Sequence, residues 1–380
     1  RPEYGSFEAA LAARRLMWAG SALVVLLTWL LARRFQSKSF TVFAPALLLG
    51  FSNFVTSSIS VRADVLSTLL ALPALFALTA RRITTAVLLG GGVALGAAFC
   101  TTQKAAYFSV AFAAGLLFRT WCEEPSTGRA AIRSFGRLLL VVVGSAVPLA
   151  CLVAYMTYLG ALRPFVDQTI LWGAWVGLVA DTYGSSRIHL VETLARNPAT
   201  WLFGLCGAVA VVLEGFRQAR GPEVDRSAPA AALGVWTLAL AGLLLQHTAK
   251  FPYVFITIAP GLALCGGILF ERLTVGAWTP ERPQDWRHVV WTGAAVTFLL
   301  VVPWFHHAKA FRPGLLNYQR MVMDRVDLLT RPDEPVFDGI GIAATRPMAV
   351  PWSMTARWFQ ERRAGAPYEV VPYLRLRQPK

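Results

Sequence analysis

Apolar runs close to membrane-spanning length recur along the chain, separated by short polar stretches rich in arginine. They fall at about 16–32, 40–60, 65–80, 83–100, 105–118, 138–159, 199–214, 229–246, 251–270 and 288–304. A helix needs roughly 20 apolar residues to cross the hydrocarbon layer, and several runs borrow flanking residues to reach that. The pattern predicts about ten transmembrane helices in an all-α polytopic domain over 1–304. The run 105–118 is the weakest of these: it spans with help from its flanks or is re-entrant.

The polar stretches alternate in charge. Arg33, Arg34 and Lys38, then Arg81 and Arg82, then Arg119, Arg129, Arg133 and Arg137, then Arg217, Arg220 and Arg226, then Arg272, Arg282 and Arg287 share one side. Only Arg62, Lys104, Arg163, Arg187, Arg196 and Lys250 fall on the other. An excess of Lys and Arg marks cytoplasmic loops. The first run therefore exits to the cytoplasm, and the basic-poor loops lie outside.

Residues 305–380 are polar and fall on the outer side, so the tail is extracytoplasmic. Leu315 to Leu329 predicts a helix with Leu315, Tyr318, Met321, Val322 and Leu329 on one side. The breaker Pro332-Asp333-Glu334-Pro335 precedes a strand and turn at Val336-Phe337-Asp338-Gly339. A helix near Met354–Arg363 and a strand near Tyr368–Leu376 complete a small α/β segment. The outer stretch 160–198 carries Trp172 and Trp175 in an apolar middle, which reads as interfacial or re-entrant.

Composition agrees with a membrane protein. Of 380 residues 56% are hydrophobic, and the mean hydropathy is +0.51. The net charge of +15 is explained by topology signals and anionic-lipid contact, not by nucleic acid. Five cysteines sit in or beside apolar runs, which argues against a disulfide framework and a zinc site. The small residues at 90–98 suit close helix packing, and no nucleotide-binding loop is present. The chain opens on Arg1 with no leader pattern, which reads as a fragment or a processed form.

Charges on the basic-poor side are where chemistry is expected. Arg62 and Asp64 lie between the second and third runs. Arg62 can meet a lipid phosphate or snorkel, and Asp64 can cap the helix that starts at Val65. Lys104 lies at the next outer join. His247, Lys250 and Tyr253 crowd the short gap before Pro252, whose place in the first turn of the next helix leaves N–H groups facing the same surface. Several cations with Tyr and His donors suit a phosphate held at the membrane surface.

The chain resembles the polytopic C-type glycosyltransferases (GT-C), especially the aminoarabinose and protein mannosyl transferases. The matching stretches are Ala12-Ala13-Arg14-Arg15-Leu16, Arg62-Ala63-Asp64-Val65-Leu66, Gly96-Ala97-Ala98-Phe99 with Lys104, Lys250-Phe251-Pro252-Tyr253 with Pro260, and the tail at 332–339. The resemblance implies inverting transfer from a polyprenyl-phosphate-linked sugar to a lipid, glycan or protein acceptor, outside a bacterial inner membrane. It makes Arg62, Lys104 and Lys250 the lipid-phosphate residues, with His247 and Tyr253 as supporting donors. An acidic base is implied, and a divalent ion is used by some relatives. The family's catalytic acid follows its first helix, a region that would precede Arg1. Glu3, Glu8, Asp64, Asp167 and Asp181 are the acids on the correct side. A transporter or flippase, or a non-catalytic scaffold of GT-C descent, is the alternative. A transporter would be expected to show internal repeats and mid-span charges; no convincing repeat stands out, and the middles of most spans carry no charge.

Overall fold

The computed structural model describes residues 6–58, 60–124, 126–167, 186–219, 224–247, 252–277 and 313–331. The described helices are α1 (Ser6–Ala32), α2 (Phe43–Gly50), α3 (Ser52–Ser58), α4 (Ala63–Leu78), α5 (Thr85–Thr101), α6 (Ala105–Glu123) and α7 (Thr127–Tyr158). They continue as α8 (Leu162–Val166), α9 (Ser186–Arg196), α10 (Pro198–Gln218), α11 (Val224–Gln246), a 3-10 helix (Pro252–Ile258), α12 (Ala259–Ala277) and α13 (Pro313–Leu329). No strand occurs among the described residues. The run 288–304 and the tail strands expected beyond residue 331 lie outside them.

Among the described residues, six helices are long and apolar enough to cross a membrane: α1, α6, α7, α10, α11, and α12 together with the 3-10 helix. The shorter α5 is also apolar. The run at 105–118 extends to Glu123 as a helix of 19 residues, because Arg119 and Glu123 at its end are neutralised within the protein. The chain is thus a polytopic, α-helical integral membrane protein.

The expected single span at 40–60 is two helices. The backbone leaves the helical region at Phe51, and the Ser52 amide donates to Asn197 Oδ1 at 2.6 Å instead of continuing the ladder. The next residue, Asn53, donates from Nδ2 to Thr193 Oγ1 at 3.1 Å. Side chains able to compete with the backbone make the break. Helices α3 and α4 then meet at 111°, so the chain turns a corner just before Arg62.

Small residues set the tightest packing. A Cβ on Gly92 would strike the Val141 carbonyl and come within 3.0 Å of Gly144 Cα, and one on Gly96 would lie 2.6 Å from Pro148 Cγ. These contacts press α5 against α7, as the small-residue cluster predicted. Gly204 and Gly207 do the same for α10 against Leu262 and Cys265 of α12. One continuous apolar core runs through Leu48, Phe51, Leu72, Leu78, Phe112, Leu116, Leu233, Trp236 and Phe255. All five cysteines are free thiols.

Helix α13 matches the expected span. Met323 is buried, while Met321 and Leu329 are exposed. The helix packs against α1, and that neighbour selects the side that is covered.

The basic loops meet at one end of the bundle. Arg119, only 1% exposed, donates from Nη1 to the Leu78 carbonyl and from Nε to Glu123. Arg137 closes on Glu123 Oε2 at 2.8 Å and on Thr120 Oγ1 at 2.8 Å. Arg34 reaches the Phe76 carbonyl at 2.8 Å and Thr79 Oγ1 at 3.1 Å. Burial, then the nearby Arg119 guanidinium, hold Arg34 below its usual pKa. These side chains take up the carbonyls that the C-terminus of α4 leaves without helical partners.

Candidate functional site

The opposite end of the bundle carries the basic-poor loops. Helices α4 and α6 both begin there, with Arg62 and Lys104 as their N-cap residues. Neither side chain caps its own helix. A cation at a helix N-terminus opposes the positive end of the helix dipole. Two of them begin adjacent helices here, so the surface combines cationic heads with N–H groups directed outward.

Both cations lean on one aromatic ring. The Arg62 guanidinium carbon lies 4.0 Å from the centroid of Tyr253, and Lys104 Nζ lies 4.5 Å from the same centroid. Cation–π attraction of this kind contributes about 0.5–2 kcal/mol. Tyr253 is the second residue of the 3-10 helix, which packs against α3 and α4. Pro252 opens that 3-10 helix, where the sequence predicted the first turn of an α-helix.

Asp64 supplies the negative charge. Its side chain is 7% exposed, and Oδ1 lies 3.0 Å from Lys104 Nζ, itself 25% exposed. Asp64 is the second residue of α4, since the helix starts at Ala63 and not at Val65 as expected. The carboxylate therefore favours the helix dipole from within the first turn and binds Lys104, where the sequence suggested a cap. With Arg62 and Lys104 against one carboxylate, the described cluster is net positive.

Tyr107 and His247 complete it. Tyr107 Oη lies 2.9 Å from His247 Nδ1, and the two rings meet edge to face at 5.6 Å between centroids. Tyr107 is one turn beyond Lys104 on α6, and His247 directly follows α11. Tyr107 did not stand out in the sequence. The signal was its spacing of three from Lys104, which places both on one helix face.

The structure thus brings Arg62, Lys104 and Tyr253 together with Asp64, and pairs His247 with Tyr107, one turn from Lys104 on α6. Lys250, Glu3 and Asp181 lie outside the described residues. Glu8 is exposed in the first turn of α1. Asp167 is exposed just after α8 and forms no ion pair among the described residues. No group of three His, Cys, Asp or Glu side chains that could hold a metal occurs among the described residues.

No family model and no curated protein matches the chain. Among solved structures it is similar to the archaeal oligosaccharyltransferase AglB from Archaeoglobus fulgidus, determined with an inhibitory peptide and a dolichol-phosphate. The two align with a TM-score of 0.50 at 13% identity, over 92% of this chain and 57% of that one. At that identity the likeness is one of fold. The chain is thus a polytopic membrane protein whose helical fold is like that neighbour's. The chain spans a little over half the length of that neighbour.

Proposed function

We propose that the protein is a membrane glycosyltransferase that takes a sugar from a polyprenyl-phosphate donor and passes it to a lipid, glycan or protein acceptor. The observation that carries this reading is the pair of N-cap cations, Arg62 and Lys104, converging on Tyr253 at one surface of the bundle. The dolichol-phosphate bound to the structural neighbour supports a lipid-linked donor. The positive-inside pattern supports an outer-face site in a bacterial inner membrane, with the C-terminal segment also outside.

In this reading the donor phosphate lies over Arg62 and Lys104, with Lys250 and the His247 ring as further donors. An acceptor hydroxyl attacks the anomeric carbon from the face opposite the phosphate, and configuration inverts. The anomeric C–O bond breaks, and its electron pair passes to the phosphate oxygen. Arg62 and Lys104 stabilise that developing charge, where fixed cations count most. The hydroxyl proton goes to a carboxylate. Asp64 is engaged by Lys104 and serves to hold it, which leaves Glu3, Glu8, Asp167 and Asp181 as base candidates.

Native mass spectrometry of the detergent-purified protein, supplied with a polyprenyl phosphate, tests the assignment. Binding should fall at least about ten-fold in Arg62→Ala and Lys104→Ala, as loss of a charge-assisted contact to phosphate predicts. Wild-type lipid retention in both variants would refute the donor site.

A further inference from the structure

A second cationic site is built into the other end of the bundle, with no residue in common with the cluster around Tyr253. A cavity of about 560 Å³ opens between the ends of α10 and α12, lined by Ala210, Leu213, Glu214, Arg217, Gln218 and Arg272. Both helices are of spanning length and apolar, so their ends lie where hydrocarbon gives way to headgroups.

The polar lining is arranged in an ordered way. Glu214 is occupied on both oxygens: Arg272 pairs with Oε2, and Gln218 Nε2 donates to Oε1 at 3.1 Å. The one acid of the cavity is therefore satisfied by two fixed partners. Arg217 is exposed on the same rim and makes no ion pair among the described residues. The rim thus carries one more cation than acid, while Ala210 and the exposed Leu213 lie one to two turns deeper. Phe216 and Leu273 stand exposed beside it.

We propose that this cavity seats an anionic phospholipid, with its phosphate on Arg217 and Arg272 and an acyl chain along Leu213 and Ala210. The charge of the rim selects a phosphate, and the apolar floor selects a lipid over a soluble anion. Arginine suits the task because its planar fork can bind phosphate oxygens in pairs while part of it remains on Glu214. By the loop-charge asymmetry this end is cytoplasmic, facing the leaflet where anionic lipids attract basic residues.

The test titrates dioleoylphosphatidylglycerol or dioleoylphosphatidylcholine into the detergent-purified protein and follows bound lipid by native mass spectrometry. Two variants are compared with wild type. Arg217→Gln removes the cation from an exposed position, and Leu213→Trp fills the apolar floor while leaving the charges in place. The expected result is preference for phosphatidylglycerol, with apparent affinity about five-fold lower in Arg217→Gln, as loss of one basic contact predicts. Leu213→Trp should also weaken binding, whereas phosphatidylcholine retention stays low throughout. Equal retention of the two lipids by wild type, or undiminished phosphatidylglycerol binding in both variants, overturns the site. Thermal stabilisation by glycerol 3-phosphate equal to that by the lipid overturns the lipid assignment in favour of a soluble phosphate. The Arg217→Gln and Leu213→Trp comparisons read on this end of the bundle alone, because neither residue belongs to the cluster around Tyr253, and they leave the donor-site experiment independent.

Discussion

Asp64 and Lys104 form one ion pair but are not equivalent within it. The carboxylate is almost wholly enclosed, while the ammonium keeps a quarter of its side-chain surface. Removing the lysine strands a charge that water cannot reach; removing the aspartate leaves a cation that can turn outward and still lean on Tyr253. Lys104→Ala should therefore destabilise the protein by about 3 kcal/mol, and Asp64→Ala by about 1 kcal/mol. Unfolding midpoints in a mild detergent check the order. The double variant should lose less than the two single losses together, because the pair couples. Equal losses in the two single variants would contradict the burial argument. The sequence showed both residues but not their pairing, since 40 positions separate them. What it did offer was their scarcity: few charges lie on that side of the membrane, and Arg62, Asp64 and Lys104 are three of them that meet.

At the scale of helices, the contact between α5 and α7 separates two kinds of glycine within one short stretch. Gly92 lies where any Cβ meets the backbone of α7, whereas nothing lies within 4 Å of a Cβ on Gly90. Gly92→Val should cost at least about 3 kcal/mol, at the upper end of overpacking effects. Gly90→Ala should be neutral, or stabilise by up to about 1 kcal/mol through the loss of backbone freedom in the unfolded chain. The same unfolding assay distinguishes them. Apolar periodicity located these helices well, because length and hydropathy are properties of a single segment. It failed at 40–60, where the break depends on Asn197 accepting from the Ser52 amide across the bundle. A partner 145 residues away is not written into the local pattern.

Across the whole molecule, the two ends solve different electrostatic problems. The basic-loop end uses its charge internally, with Arg119 and Arg137 sharing Glu123 and closing the ends of α4, α6 and α7. The sequence read these arginines as topology markers. The adjacent Glu123 and Glu124, acids inside a basic loop, were the sign that some of that charge is spent on structure. Arg119→Met should destabilise by about 3–5 kcal/mol, because it leaves Glu123 and the Leu78 carbonyl short of a buried donor. The same variant should bind a polyprenyl phosphate as wild type does at temperatures where it stays folded, since its partners lie at the far end. Loss of lipid binding in folded Arg119→Met would show that the two ends are coupled. At the Tyr253 end the cations are held by one ring and one carboxylate, and their excess charge faces outward.

Helix α7 has two very different sides. Gly144 and Ser145 meet α5, while Ile132, Phe135, Val142, Val143 and Val147 are exposed. At 32 residues, it is about 48 Å long, more than the hydrocarbon layer is thick. On its exposed side, selection can demand little beyond greasiness, so valine, leucine and isoleucine will replace one another freely there as the gene diverges. On the other side a single added methyl group ends the contact. The helix will therefore age unevenly, with one flank drifting and the other fixed, and related genes set side by side should reveal the buried seam of α5 and α7 as a line of residues that did not change.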